Sequence, residues 1–225
     1  MKFYSIAIDG PAGAGKSTLS KLLAKELGFM YVDTGAIYRT VGYYINLMGI
    51  GSKDTDGVRR LIDEVNIDIY IDENNVQRMV LNGQDVTDEI RTPEMSKYAS
   101  DVSAMAFVRS FLLDMQRDLA KKNNVIMDGR DIGTVVLPEA DLKIFLTASA
   151  EERARRRFEE YAAKGEKTTF EQVLADINQR DFNDSNRKAA PLKKAADAIE
   201  VDTTGETLEQ SEKRIIELVR EKLAI

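Results

Sequence analysis

Hydrophobic residues along this chain fall into short runs separated by amphipathic stretches. Five runs, at 3–8, 30–32, 125–127, 143–146 and 198–201, are apolar, rich in β-formers and short enough to be buried strands. Helical patterns lie between most of them. Leu19, Leu22, Leu23 and Leu27 recur at helical spacing ahead of Gly28, which is placed to end that helix. A second pattern joins Val108, Phe111, Leu112, Met115 and Leu119. A third joins Leu208, Ile215, Leu218, Val219 and Leu223, with Thr207 and Gln210 fitting a capping box at its start. Strands alternating with helices predict an α/β fold on a parallel sheet.

One stretch breaks the rhythm. Ile67-Asp68-Ile69-Tyr70-Ile71 alternates apolar and polar residues, and Asp72-Glu73-Asn74-Asn75 then reads as a turn. A second run covers 77–81, Asn82-Gly83 is a hairpin signal, and Val86 is placed for a third short strand. The pattern predicts an antiparallel meander within the α/β fold. Residues 41–99 are then either a subdomain hung on the core or a peripheral hairpin covering a sheet edge.

Chemistry enters with Gly10-Pro11-Ala12-Gly13-Ala14-Gly15-Lys16-Ser17, which fits the phosphate-loop spacing and is followed by Thr18. The glycines let the backbone curl so that successive N–H groups point at phosphate oxygens. Lys16 can reach the β- and γ-phosphates, and the Ser17 hydroxyl can ligate Mg²⁺. The loop sits between an expected strand and an expected helix, whose positive N-terminal end faces the anion. The chain is expected to bind a nucleoside triphosphate.

Composition narrows the field. At 225 residues, 43% hydrophobic and 31% charged, the chain is that of a soluble globular protein. No apolar stretch approaches the roughly 18 residues of a membrane helix. A polar loop within ten residues of the start does not read as a signal peptide, so the cytoplasm is the expected location. With no cysteine and no histidine, thiolate chemistry, Cys/His zinc sites and imidazole acid–base catalysis are excluded. Any metal must take oxygen ligands, which suits Mg²⁺. A net charge of −6 argues against a nucleic-acid partner.

Arginines mark a second anion. They occur in Asp33-Thr34-Gly35-Ala36-Ile37-Tyr38-Arg39, in Asp128-Gly129-Arg130-Asp131 and in Arg180-Asp181-Phe182-Asn183-Asp184-Ser185-Asn186-Arg187. The first two follow the expected second and third strands directly, and ligands of open α/β sheets bind at the carboxyl ends of strands. Considered singly, each motif also fits a solvated surface. Arg180, Asp184 and Arg187 could be an ion-pair ladder on one helix face, and the run of arginines at 153 and 155–157 a charged face.

Together with Glu89-Ile90-Arg91-Thr92 and the 151–157 stretch, these motifs resemble the bacterial cytidylate kinase family nearly end to end. The resemblance implies a P-loop three-layer α/β fold: a five-stranded parallel sheet, an inserted antiparallel monophosphate-binding subdomain and a helical lid. It places the core at 1–40 and 100–225, the insert at 41–99 and the lid at 148–166. The implied activity is transfer of a phosphoryl group from ATP to CMP or dCMP, in pyrimidine nucleotide metabolism, with Mg²⁺ and by a monomer. The implied ATP site is Gly10 through Thr18. Matching positions put Ser100, Arg109 and Asp131 on the cytosine and Arg180 and Asp184 on the ribose. Arg39, Arg130 and Arg187 surround the acceptor phosphate. Thr34 stands where the family often has serine, and Asp128 is assigned to the Mg²⁺ shell or the acceptor-side arginines. Arg153 and Arg157, one turn apart, are the lid's catalytic pair alongside Lys16, Arg130 and Arg187. A kinase for another small acceptor, a non-catalytic nucleotide switch and a nucleic-acid-directed ATPase are the competing classes. The first would show in an acceptor panel; the others leave the arginine motifs unexplained or meet the wrong net charge.

Overall fold

The central apolar runs, at 5–9, 125–129 and 142–147, become strands buried on both faces, which is why they lack clean alternation. The computed structural model describes residues 2–73, 76–163 and 165–224. In chain order the elements are β1 (Ser5–Asp9), α1 (Lys16–Leu27), β2 (Met30–Asp33), α2 (Thr34–Leu47), α3 (Thr55–Leu61), β3 (Ile67–Ile71), β4 (Gln77–Leu81), β5 (Gln84–Asp85), α4 (Pro93–Ser103), α5 (Ala106–Lys122), β6 (Val125–Gly129), β7 (Leu142–Thr147), α6 (Ala150–Ala163), α7 (Phe170–Asn186), β8 (Ile199–Asp202) and α8 (Leu208–Leu223). Strands β2-β6-β1-β7-β8 form one parallel sheet, and β3-β4-β5 a separate antiparallel one.

Period-two alternation sorts the core. Ile6, Ile8 and Ile126 face α1 and α8, where Leu19, Leu23, Ile215 and Val219 are buried. Ala7, Val125 and Met127 face α2 and α5, with Ile37, Val41 and Leu112. Burying one such Leu or Ile contributes roughly 1.5–3 kcal/mol. Met79 and Leu81 of β4 belong to that second cluster, so the small sheet shares the core of α2. Helices α6 and α7 have a small core of their own around Ala154, Val173 and Ile177.

Local signals account for the helix ends. Gly28 caps α1 in the left-handed conformation, φ 67°, donating its N–H to Ala24 O. Thr207 and Gln210 form the expected capping box of α8. The first strand begins later than its apolar run, at Ser5, and extends to the buried Asp9. The third strand of the meander is Gln84–Asp85, and Val86 follows it, its N–H on Met79 O at 2.9 Å. Of the turn expected at 72–75, Asn74 and Asn75 lie outside the described residues, as do Met1, Lys164 and Ile225. An unforeseen π-helical turn, Ile132–Val136, follows β6; such turns recur at functional sites.

Candidate active site

All five parallel strands end at one rim, and the chain's phosphate loop leaves β1 there. Gly10 has φ 152°, and a Cβ on it would lie 1.9 Å from Leu146 O of β7, so only glycine lets the loop pass. Gly13 and Gly15 also take positive φ, 75° and 85°. Gly15 caps α1 without a side-chain acceptor, and the first turn holds no acidic residue, so its N–H groups suit an anion. Pro11 gives its carbonyl to Lys16 Nζ at 2.7 Å. Burial, then the neighbouring Arg130, holds the Lys16 ammonium well below the usual lysine range; an anion beside it would reverse that.

Two buried carboxyl groups, Asp128 and Asp9, lie at the strand ends beside the loop. Ser17 Oγ donates to Asp128 Oδ2 at 2.7 Å, and Tyr31 OH donates to Asp128 Oδ1 at 3.0 Å. Burial and the nearby Asp33 push Asp128 up to about 6, against the pull of Lys16 and the two hydroxyls. The Asp128 carboxylate thus faces Ser17, and it has no arginine ion-pair partner among the described residues. Its main-chain carbonyl accepts from Thr34 Oγ1 at 2.7 Å. Asp9, also raised to about 6 by burial, accepts from Ile132 N and Gly133 N at 2.7 Å each and pins the π turn to β1.

Next to the loop lies a cavity of about 680 Å³ walled by residues that are distant in sequence. Ala12 to Thr18, Thr34, Arg39, Ser100, Arg109, Asp128, Arg130, Asp131, Arg157, Arg180, Asp184 and Arg187 all border it. Asp131 is bracketed by Arg109 on Oδ2 and by Arg187 on Oδ1, the latter at 3.2 Å. Arg130 Nε meets Asp184 Oδ2 at 2.8 Å, and Arg39 meets Asp33 Oδ2 at 2.8 Å. Burial, then Arg130, lowers Arg180 to about 10; burial, then Arg109, lowers Arg187. Burial alone would raise Asp184, yet Arg130, Arg180 and Arg187 leave it below the ordinary value. The Nε groups of Arg39 and Arg180 are shut off from water with no hydrogen-bond partner among the described residues. The cavity thus gathers guanidinium groups whose mutual repulsion an added anion would relieve.

Gly10 and Pro11 shape the loop from behind the cavity wall. Arg153 is set apart as well. It is 5% exposed, donates to Ala148 O and Ala12 O at 2.9 and 3.0 Å, and pairs with Asp181 at 2.7 Å. It braces the phosphate loop against α6 and α7, whereas Arg157, one turn on, reaches the cavity and lies over Tyr161. Sequence reasoning left Arg156 open between a surface and an inward role and gave no site role to Thr203, Glu206, Leu208 and Ser211, which with it line the far end of the cleft. Arg156 Nη2 donates to Thr203 O at 2.8 Å, tying α6 to the loop after β8. Thr203 and Ser211 carried no signal beyond lying after the last strand.

Comparison with known proteins fits this geometry. A family model described as "Cytidylate kinase" matches residues 6–221. A cytidylate kinase of Caldicellulosiruptor saccharolyticus is 52% identical over 97% of this chain and 96% of its own length. One from Carboxydothermus hydrogenoformans is 49% identical over 96% of this chain and 97% of its own. Among solved structures, an uncharacterized protein from Eubacterium ventriosum aligns with a TM-score of 0.54 over 98% of this chain and 99% of its own, at 14% identity, a likeness of fold.

Proposed function

The chain belongs to the cytidylate kinase family, and we propose that its cleft transfers the γ-phosphoryl group of ATP to CMP or dCMP. The observation that supports this most is the grouping of Arg39, Arg130, Arg180 and Arg187 on one cavity beside the phosphate loop, with burial and neighbouring arginines holding Arg180 and Arg187 below the usual arginine range. Such a cluster offsets the repulsion between two polyanions and holds them in line.

ATP lies with its phosphates on Gly10 to Thr18 and its base toward Arg156, Thr203 and Leu208. The CMP phosphate lies among Arg39, Arg130 and Arg187, with Thr34 nearby, its ribose against Arg180 and Asp184, and its cytosine toward Ser100, Arg109 and Asp131. Cytosine carries an amino donor where uracil carries an acceptor, so Asp131 attracts the first and repels the second. The second ionisation of a phosphate monoester lies near 6. An oxygen of CMP is therefore already anionic and needs no general base, consistent with a chain lacking histidine. That oxygen attacks the γ-phosphorus; the β–γ bridging P–O bond breaks and ADP leaves with its electron pair. Lys16 and Arg157 stabilise the charge spread over the transferring group.

Mg²⁺ is the expected cofactor, and the oxygen donors present suit it. Ser17 Oγ and Asp128 adjoin the loop, while no cluster of three carboxylates competes among the described residues. Such an ion keeps several waters and leans on substrate phosphates. Ser17 Oγ would ligate the ion and Asp128, which accepts from Ser17 Oγ, would orient that hydroxyl; when bound, the ion would neutralise phosphate charge. Residues 41–99 act as the monophosphate-binding insert and 148–166 as the lid on the 1–40 and 100–225 core. The protein works as a monomer in the cytoplasm; no described helix is long and apolar enough to cross a membrane. A coupled ADP-release assay across nucleoside monophosphates tests the reading. CMP and dCMP should be far better acceptors than UMP or AMP, and no turnover with either would overturn it.

A further inference from the structure

β2 is an edge strand of the parallel sheet, paired with β6 on one side only. The outward N–H and C=O of an edge strand need other partners if they are shielded from water. At Asp33, the last residue of β2, one side chain serves both groups. Asp33 N–H donates to Gln77 Oε1 at 2.7 Å, and Gln77 Nε2 donates to Asp33 O at 3.3 Å. A primary amide presents a carbonyl and an N–H as a peptide does, so Gln77 acts as a single-residue strand completing the edge.

Gln77 opens β4 of the antiparallel sheet and is 7% exposed, with Met79 Sδ 3.0 Å from its Nε2. Its partner is a junction. The Asp33 side chain caps α2 through Ala36 N at 2.9 Å and holds Arg39 Nη2 at 2.8 Å. The next residue, Thr34, is tied to Asp128 O. Both Thr34 and Arg39 border the cavity, whereas Gln77 does not.

We propose that Gln77 is a positioning residue: its amide fixes the main chain at Asp33 and so aims Arg39 and Thr34 at the acceptor's phosphate, linking the small sheet to acceptor binding. This rests on the functional reading above. Replacing one buried hydrogen-bonding group shifts binding by up to about tenfold. Gln77→Met keeps length and burial but loses both bonds. KM for CMP should rise about tenfold, while KM for ATP stays within about twofold. Acting through Arg39, Gln77→Met should add less than about twofold to the CMP KM of Arg39→Ala, a non-additivity expected of coupled residues. A purely structural role would lower the active fraction and the melting temperature and leave both KM values unmoved. Should Gln77→Met not fold, Gln77→Asn keeps a neutral amide but draws it back by one methylene, and a rise of about threefold is expected. An unchanged CMP KM, equal shifts for both substrates, or full additivity with Arg39→Ala overturns the proposal. Wild-type protein that ignores CMP would instead sink the functional reading.

Discussion

Asp131→Asn tests the base-reading end of the cleft and has a size that follows from its surroundings. Asp131 is 4% exposed, Arg109 is 9% exposed, and each carboxylate oxygen of Asp131 holds a guanidinium. Asparagine keeps the shape but offers one acceptor, so its amide nitrogen meets the other arginine donor to donor. Removing one side of a buried pair costs about 3–5 kcal/mol. Arg109 retains Ser103 O at 3.3 Å, and Arg187 retains Ala190 O at 2.7 Å, which reduces the loss. A destabilisation of about 2–3 kcal/mol follows, or a fall in melting temperature of roughly 4–12 °C for a chain this long. The neutral amide also no longer distinguishes the cytosine amino group from the uracil carbonyl. The ratio of kcat/KM for CMP to that for UMP should fall about 10- to 100-fold, with the KM for ATP little changed. Calorimetry and the ADP-release assay read the two effects separately. A melting temperature within about 1 °C of wild type together with an unchanged ratio would refute the reasoning.

Gly10→Ala should yield little folded protein because its Cβ meets Leu146 O, whereas Gly28→Ala, with nothing within 4 Å, should cost only the left-handed strain of about 1–2 kcal/mol by denaturant titration. Arg153→Met should lower stability by roughly 3 kcal/mol and weaken ATP, since it unties Ala12 and strands Asp181. Arg157→Ala, at a half-exposed site, should leave the melting temperature within about 2 °C yet reduce kcat at least about tenfold, because its charge serves the transferring group. The raised pKa values of Asp9 and Asp128, about 6, mean that the folded state favours their protonated forms. Their contribution to stability is present below about 4 and is lost as pH rises through about 6. Acidification from pH 7 to 5.5 therefore should not unfold the ligand-free protein through them. Activity should fall, because CMP gains a proton near about pH 6. The acid limb of log kcat/KM for CMP should approach a slope of one.

Much of the scaffold was legible because its signals are local. The five runs, Gly28 and the Thr207–Gln210 box lie where the structure uses them, within a residue or two at most ends. The residues that border the cavity lay in recognisable motifs, but their pairings did not show in the sequence. Ser17 and Asp128 are 111 residues apart in sequence, and Asp9 reaches Ile132 across 123. No periodicity encodes such contacts; they arise because parallel strands deliver their carboxyl ends to one rim. Helical spacing put Arg153 and Arg157 on one face, yet the deep seat of Arg153 depends on the Ala12 carbonyl and on Asp181 of the neighbouring helix. Gln77 read as the start of a strand; that its side chain would complete the edge at Asp33 followed only from the packing of the small sheet.

The central claim is that the arginine-lined cavity lets a cytosine monophosphate accept the terminal phosphoryl group of ATP. The most direct measurement follows labelled phosphate: purified protein, CMP, Mg²⁺ and ATP carrying the label in its γ position. The account predicts label in the β-phosphate of CDP, with one ADP formed for each CDP. Label released as inorganic phosphate, or passed to other acceptors while CMP remains untouched, would contradict it.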